Sequence, residues 1–307
     1  MEEMKNRVYG VVGIKSIMSN WNADFSGEPR TNSDGKIFGS DKAFKYPIKK
    51  MWEANKKNKV LNVKSYKVSS KEKDKVVPRT LGERFSYLFG KEVKDMERDE
   101  IIKTLFSAID VLNFGATFAE NNNNISITGA VQIGQGYNKY SNTNIEYLDI
   151  LSPFSSKEGD KNSTIGNKIV SDEAHYMYPF SVNPSNYDIY KEALGEDICY
   201  TKEAYKNFKE AALMAATAYN TNSKVGCENE FAIFVECKEE SKLYLANLDQ
   251  YIEFKKSKDG KDIIDLSNLK NILNMHMDQI ENIDVYYNDY TLSIEGIDEN
   301  YKLNKLF

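Results

Sequence analysis

The chain has 307 residues, 41% of them hydrophobic and 28% charged, enough for a sizeable core in one large or two small domains and too apolar for wholesale disorder. No window reaches the roughly 20 apolar residues that span a bilayer, and the N-terminal residues lack a signal-peptide stretch, so a cytoplasmic protein with no membrane partner is expected. The formal net charge is −5, yet residues 1–91 hold 20 Lys and Arg against 10 Asp and Glu, which leaves 21 against 36 for the rest; a basic third suits a polyanion, and a solvated surface with chance asymmetry is the competing reading.

Val8 to Ile17 is apolar on both alternating faces, the pattern of a strand buried on both sides. Asn20 to Gly39, dense in Gly, Asn, Asp, Ser and Pro, predicts a long irregular loop. Ser40 is a candidate N-cap for a helix over 41–55, with Phe44, Ile48, Met51 and Trp52 on one stripe and Lys42, Lys45, Lys49 and Lys50 around the rest. Residues 56–78 are Lys-rich and weakly periodic, which predicts a basic projection with a strand near 60–68. A second helix is predicted over 94–111.

The four asparagines at 121–124 make a loop before Ile125 to Ile133, where alternation predicts one half-exposed strand. Tyr176, Tyr178, Phe180 and Val182 alternate too, and Pro179, which has no N–H to give a ladder, places that strand at an edge. Further on, the pattern predicts a helix over 202–220, strands over 231–237 and 243–248, a helix over 267–280 and a last strand over 285–294. Helices and strands mix without strict alternation and no repeat is visible. The fold class is therefore α+β with a split β-α-β core.

Catalytic and metal-binding signatures are sparse. Cys199, Cys227 and Cys237 show no C-x-x-C spacing, so neither disulfides nor zinc are expected. His276 sits on an apolar stripe, as a core or boundary imidazole does, whereas His175 stands beside the aromatic strand, within reach of RNA by stacking or a phosphate bond. Gly134-Gln135-Gly136-Tyr137 resembles the start of a dinucleotide loop, but Lys139 replaces the third glycine. The same glycines would let a phosphodiester approach the main chain, with Tyr137 as a stacking face; a simple turn with a core tyrosine explains them equally well. Asp24, in the first loop, is a solvated turn aspartate or a metal-binding, RNA-cleaving one. No cofactor and no metal are expected.

The order of segments resembles a known family. NWNADFSGEPR followed by GKIFGSDKAFKYPIKK, then IDVLNFGATFAE, ITGAVQIGQGY, SPF, STIG and HYMYPFSVNP are similar to the Cas-seven family of the RAMP superfamily. These are the crRNA-binding backbone subunits of type I CRISPR Cascade complexes, and the likeness is closest to the I-B branch. It covers about residues 7–250, departing at Ala116, where relatives more often have glycine, and at Ala130, where they often have proline.

The resemblance implies a single ferredoxin-like or RRM-like palm over 1–307. Loop and helical fingers would be inserted at about 20–110, with a thumb hairpin at about 150–175. Its implied partners are crRNA, further copies of the chain in a helical filament, other Cascade subunits, target DNA through guide pairing, and a recruited helicase-nuclease, all serving antiviral defence. Carried over by position, Asn20 and Asn22 would bond phosphate or ribose. Lys45 and Lys49, with Lys50, would neutralise phosphates, while Gln132, Gln135 and Tyr137 would line the RNA track and Phe154, Lys168 and His175 would belong to the thumb. Such a subunit needs no catalysis; the alternative is an endoribonuclease of the same superfamily using Asp24 or His175.

Overall fold

In the computed structural model, residues 2–69, 75–151, 164–258 and 260–307 are described. Strand β1 (Val8–Ser19) runs through the middle of the largest sheet, and β2 (Phe38–Gly39) lies at one edge of it. Helix α1 (Asp41–Ala54) begins as the sequence predicts, with the Ser40 hydroxyl accepting from Ala43 N and with Phe44, Ile48 and Trp52 buried.

The Lys-rich stretch is different from the prediction. Val60, Leu61 and Val63 are buried in the core, because the buried Asp110 carboxylate accepts the backbone N–H groups of Leu61 and Asn62 at 2.7 and 2.8 Å and pins this turn. Only the two-stranded unit of β3 (Tyr66–Val68) and β4 (Val76–Pro78) stands out from it.

Helix α2 (Leu81–Phe89) was not anticipated, although Thr80 and Glu83 form a full capping box and Gly90 closes the helix at φ +67°. The helix predicted over 94–111 is two, α3 (Arg98–Phe106) and α4 (Ile109–Phe114). Between them the Ser107 hydroxyl folds back onto the Thr104 carbonyl at 2.6 Å.

The strand predicted over 125–133 is also divided. β5 (Gly115–Glu120) and β6 (Asn123–Thr128) form a separate hairpin, while β7 (Val131–Ile133) and β8 (Gly136–Asn138) join the main sheet. Gly129 marks the switch: a Cβ there would lie 2.3 Å from Gly115 N, so only glycine lets the chain cross itself at this point.

Strand β9 (Ile145–Leu151) pairs with the first part of β10 (Thr164–Val182), and the rest of β10 lies between β1 and the β7–β8 segment. The strand carrying Pro179 is therefore internal, contrary to the edge position expected. Its carbonyl accepts from Gly134 N, so the missing N–H faces the interruption between β7 and β8, where no ladder bond is lost.

Helix α5 (Asp188–Leu194) leads into α6 (Lys202–Ala218), capped by Thr201 and burying Phe208, Ala212 and Ala215. α6 connects β10 to β11 (Cys227–Cys237), which pairs with the far side of β1. This is a split β-α-β unit with β1 as the intervening strand. A second, interlocked unit runs from β1 through the helices to β7 and β8 across β10, which gives the central order β11-β1-β10-β8.

The remaining chain roofs the other face. β12 (Glu253–Lys255), β13 (Asp262–Asp265), α7 (Ser267–Asn274), β14 (Ile280–Tyr287), β15 (Leu292–Glu295) and β16 (Lys302–Lys305) follow in order. The strand predicted over 243–248 is irregular chain whose Leu243 and Leu248 are buried without a ladder partner. The last helix stops at Asn274, and the last predicted strand splits at Asn288 to Thr291: β14 extends the main sheet, whereas β15 joins β12 and β13.

Tyr9, Val11, Met177, Phe231, Ile233 and Val235 pack under the C-terminal roof. Val8, Val12, Ile14, Tyr178, Phe180 and Phe234 pack under α1 and α6 on the opposite face. The double burial predicted for β1 therefore holds, with a layer on each side.

Candidate nucleic-acid interface

The first loop meets the β8 edge. Residues 23–29 and 31–37 close on themselves through isolated bridges, and β2 then pairs with β8, setting Phe38 opposite Tyr137. The two rings sit 5.8 Å apart at 39°, and the Lys36 ammonium lies 5.4 Å from the centre of the Tyr137 ring. Beside them opens a cleft of about 540 Å³ lined by Arg30, Asn32, Phe38, Lys42, Gln135 and Tyr137. Lys36, Lys42 and Gln135 are exposed and Arg30 is half-buried. Asp41, the acid at this cleft, is held by Lys45 at 3.0 Å. The result is a cationic rim around a partly exposed aromatic pair, which is suited to a phosphodiester with unstacked bases.

Of the residues expected to contact RNA, Gln135 and Tyr137 lie in this cleft. The glycines around them serve the core: a Cβ on Gly136 would lie 2.4 Å from the Tyr178 ring, so this glycine admits a buried tyrosine. Gln132 is exposed on β7 and donates to Gly129 O at 2.8 Å. Lys45 and Lys49 run along the half-buried flank of α1; Lys45 bonds Asp41 and lies 5.4 Å from the centre of the Phe114 ring. Burial holds the Lys49 ammonium below the usual lysine range. Lys50 is tied to Glu53 at 2.6 Å. Lys168 is half-exposed on β10 opposite Leu148 of β9. Phe154 lies outside the described residues, as do 152–163 of the expected thumb.

The two loop asparagines make bonds within the chain. Asn20 is only 3% exposed. Its amide donates to Gly27 O and Ile169 O at 3.0 and 3.1 Å, so it braces the loop against β10 and is shielded from a ligand. Asn22 is also engaged in bracing, since its Oδ1 accepts Ser40 N at 2.7 Å and sets the start of α1.

His175 is fully buried, because the C-terminal roof lays Phe254 on its imidazole with ring centres 3.8 Å apart. Stacking on RNA is thereby closed to it. Its Nδ1 faces both Glu230 oxygens at 2.9 Å and its Nε2 faces Glu173 at 3.1 Å. Burial alone would lower its pKa, but Glu230 and Glu173 outweigh that and hold the imidazolium above the ordinary histidine range.

Among the described residues, Glu173, His175 and Asp262 come close enough together to ligate a metal. The Lys256 ammonium already fills the space, 2.6 Å from Glu173 and 3.1 Å from Asp262. Asp24 is the turn aspartate: its Oδ1 accepts Ser26 N, Ser26 Oγ and Glu28 N, and these bonds, the Ser26 hydroxyl first, lower its pKa.

Sequence reasoning missed Arg30, Lys42 and Phe38 as members of one cleft, and Lys36 as the cation beside its Tyr137 ring. Their signal was present in the Pro-Arg, GKIF and SDK runs, but only the β2–β8 pairing shows that these runs flank Tyr137.

The model of the family described as CRISPR-associated protein Cas7 matches residues 6–275, most of the chain and all of this cleft. The chain belongs to the Cas7 family. A solved chain of a "CRISPR RNA-guided surveillance complex, pre-nicking" is 13% identical, with 97% of this chain and 96% of that chain covered and a TM-score of 0.58, and shares the fold. Another, from a "CRISPR RNA-guided surveillance complex", is 14% identical over 90% and 88% with a TM-score of 0.49. No curated protein sequence matches. No helix among the described residues is long and apolar enough to cross a membrane.

Proposed function

We propose that this protein is a non-catalytic, crRNA-binding backbone subunit of a type I Cascade complex of the I-B kind, located in the cytoplasm. Copies would line up head to tail along one guide RNA. The observation that carries this reading is the cleft at the β2–β8 edge, where Arg30, Lys36 and Lys42 surround the Phe38–Tyr137 pair in a chain of the Cas7 family.

Such a cleft neutralises backbone phosphates without reading base edges, which suits a guide whose sequence varies and whose pairing to target DNA supplies the specificity. Heterologous contacts that do not close give a helical filament whose length the RNA can set. The palm is ferredoxin-like on the strength of the order β11-β1-β10-β8 and its interlocked crossovers. The β9–β10 hairpin is the thumb: from Glu146 to Leu151 each residue of β9 is exposed. Loop 20–39 and the helical insert before β5 are the fingers. Other Cascade subunits and a helicase-nuclease would then meet the assembled filament.

The buried environment of His175 and the turn role of Asp24 support a protein without ribonuclease activity. The test is expression with a repeat-spacer RNA, followed by sizing and nuclease digestion of what co-purifies. A protected ladder at regular spacing is expected. A monomer that carries no RNA and ignores oligoribonucleotides at low salt refutes the proposal, and cleavage of the RNA that is lost in Asp24→Ala returns the enzyme reading.

A further inference from the structure

A second basic and aromatic surface lies at the other end of α1. There the 61–65 turn, Arg79 and the start of α2 line an open depression of about 290 Å³ bordered by Ser65, Arg79, Thr80 and Arg84. Arg84 is 6% exposed; its Nη2 donates to Val60 O and Glu53 at 2.6 and 3.0 Å, but among the described residues its Nε has no partner, nor has Ser65 Oγ. Two polar atoms buried beside a depression without partners are costly unless a polar ligand meets them.

The rim is built for bases. Tyr87 is 62% exposed with the Arg79 guanidinium 4.1 Å from its ring centre, and Tyr66 is 51% exposed with the Lys64 ammonium at 5.2 Å. Among the described residues the nearby carboxylates are engaged: Glu53 by Lys50 and Arg84, Glu83 by Lys67 and the Thr80 cap, and Glu120 by Gly82 N. The surface therefore presents net positive charge beside exposed ring faces, the combination that holds single strands without regard to sequence.

We propose that this depression is a second nucleic-acid site, which takes one phosphate of a single-stranded DNA between Arg79, Arg84 and Ser65 and stacks an adjoining base on Tyr87. The two surfaces lie at opposite ends of α1, whose 14 residues span about 20 Å of helix axis. Resting on the guide-binding reading, the occupant is DNA: pairing of a guide to one strand of a duplex frees the other.

The experiment uses the full chain purified with its guide RNA and titrates fluorescent oligothymidylate, which has no complement in the guide, by anisotropy. The RNA-loaded protein is expected to bind it. Arg79→Ala with Tyr87→Ala should weaken that binding at least tenfold, Ser65→Asp should do the same by placing a carboxylate in the depression, and Tyr87→Phe should preserve it, all with unchanged RNA content. Failure of the loaded wild type to bind, or equal binding by these variants, overturns the proposal. A chain that carries no RNA defeats the guide-binding reading instead, and the same titration across the variants still decides this one.

Discussion

Replacing Lys36 and Lys42 together by alanine is the sharpest test of the palm cleft. Both side chains are exposed, and such surface substitutions change stability by only about 0.5 kcal/mol or less, so any loss of RNA binding is electrostatic. With Arg30, Lys36 and Lys42 each neutralising one phosphate, the slope of log affinity against log salt is about −2.1, and a fourfold rise in salt weakens binding about 18-fold. The double variant keeps Arg30 alone of these three, so the cleft's share of the slope drops to about −0.7 and the same rise in salt weakens that share only about 2.6-fold. The assay is anisotropy on an oligoribonucleotide short enough for one copy, read at several salt concentrations. Lys305→Ala is the control, because β16 and β2 end opposite edges of the sheet path, about 29 Å apart at the usual strand spacing. Parallel lines for the double variant and the wild type would remove the cleft from the interface.

Three further outcomes follow from the same geometry. Trp21→Phe removes the 2.6 Å bond from the indole to Tyr178 Oη, leaving a buried hydroxyl unpaired; a loss of about 1–3 kcal/mol is expected in denaturant unfolding, and an unchanged midpoint would contradict it. His175, whose imidazolium is favoured by Glu230 and Glu173, contributes stability that is fully present below the unfolded histidine pKa of about 6.5 and is lost as pH rises through the higher folded value. The melting-temperature advantage of the wild type over His175→Gln should therefore shrink as pH rises above about 6.5, and a constant gap would rule out a charged ring. Burial disfavours the charged form of Lys49, so its share of RNA affinity should fall as pH rises through a value below that of a free lysine. Lys49→Arg, which stays charged, should flatten that decline, and identical pH profiles would exclude Lys49 from phosphate contact.

The elements legible in the chain's residues are those whose local signals agree with their burial. β1 reads as doubly buried because every residue from Val8 to Ile14 is apolar or glycine. The start of α1 is legible in Ser40, α6 in its alanine-rich stripe, and the basic bias of the first third in simple counting. The order of segments carried the family.

Only the tertiary structure decided where strands end and which faces are free. Alternation continues from Ile125 to Ile133, and only the polar pair Asn288-Asp289 interrupts the run from Val285 to Ile294, yet each run is shared between two sheets, since a period of two does not record which neighbour supplies the ladder. Pro179 argued for an edge, but the gap opposite it in β7–β8 lies 45 residues earlier in the chain, beyond the reach of any local pattern. His175 looked available because its neighbours are aromatic and polar; Phe254, almost 80 residues on, covers it. Arg30, Lys36, Lys42 and Tyr137 are scattered over more than 100 residues, and what gathers them around one cleft is the short pairing of Phe38 and Gly39 with β8, two residues long and set by the glycines that make room for Tyr178.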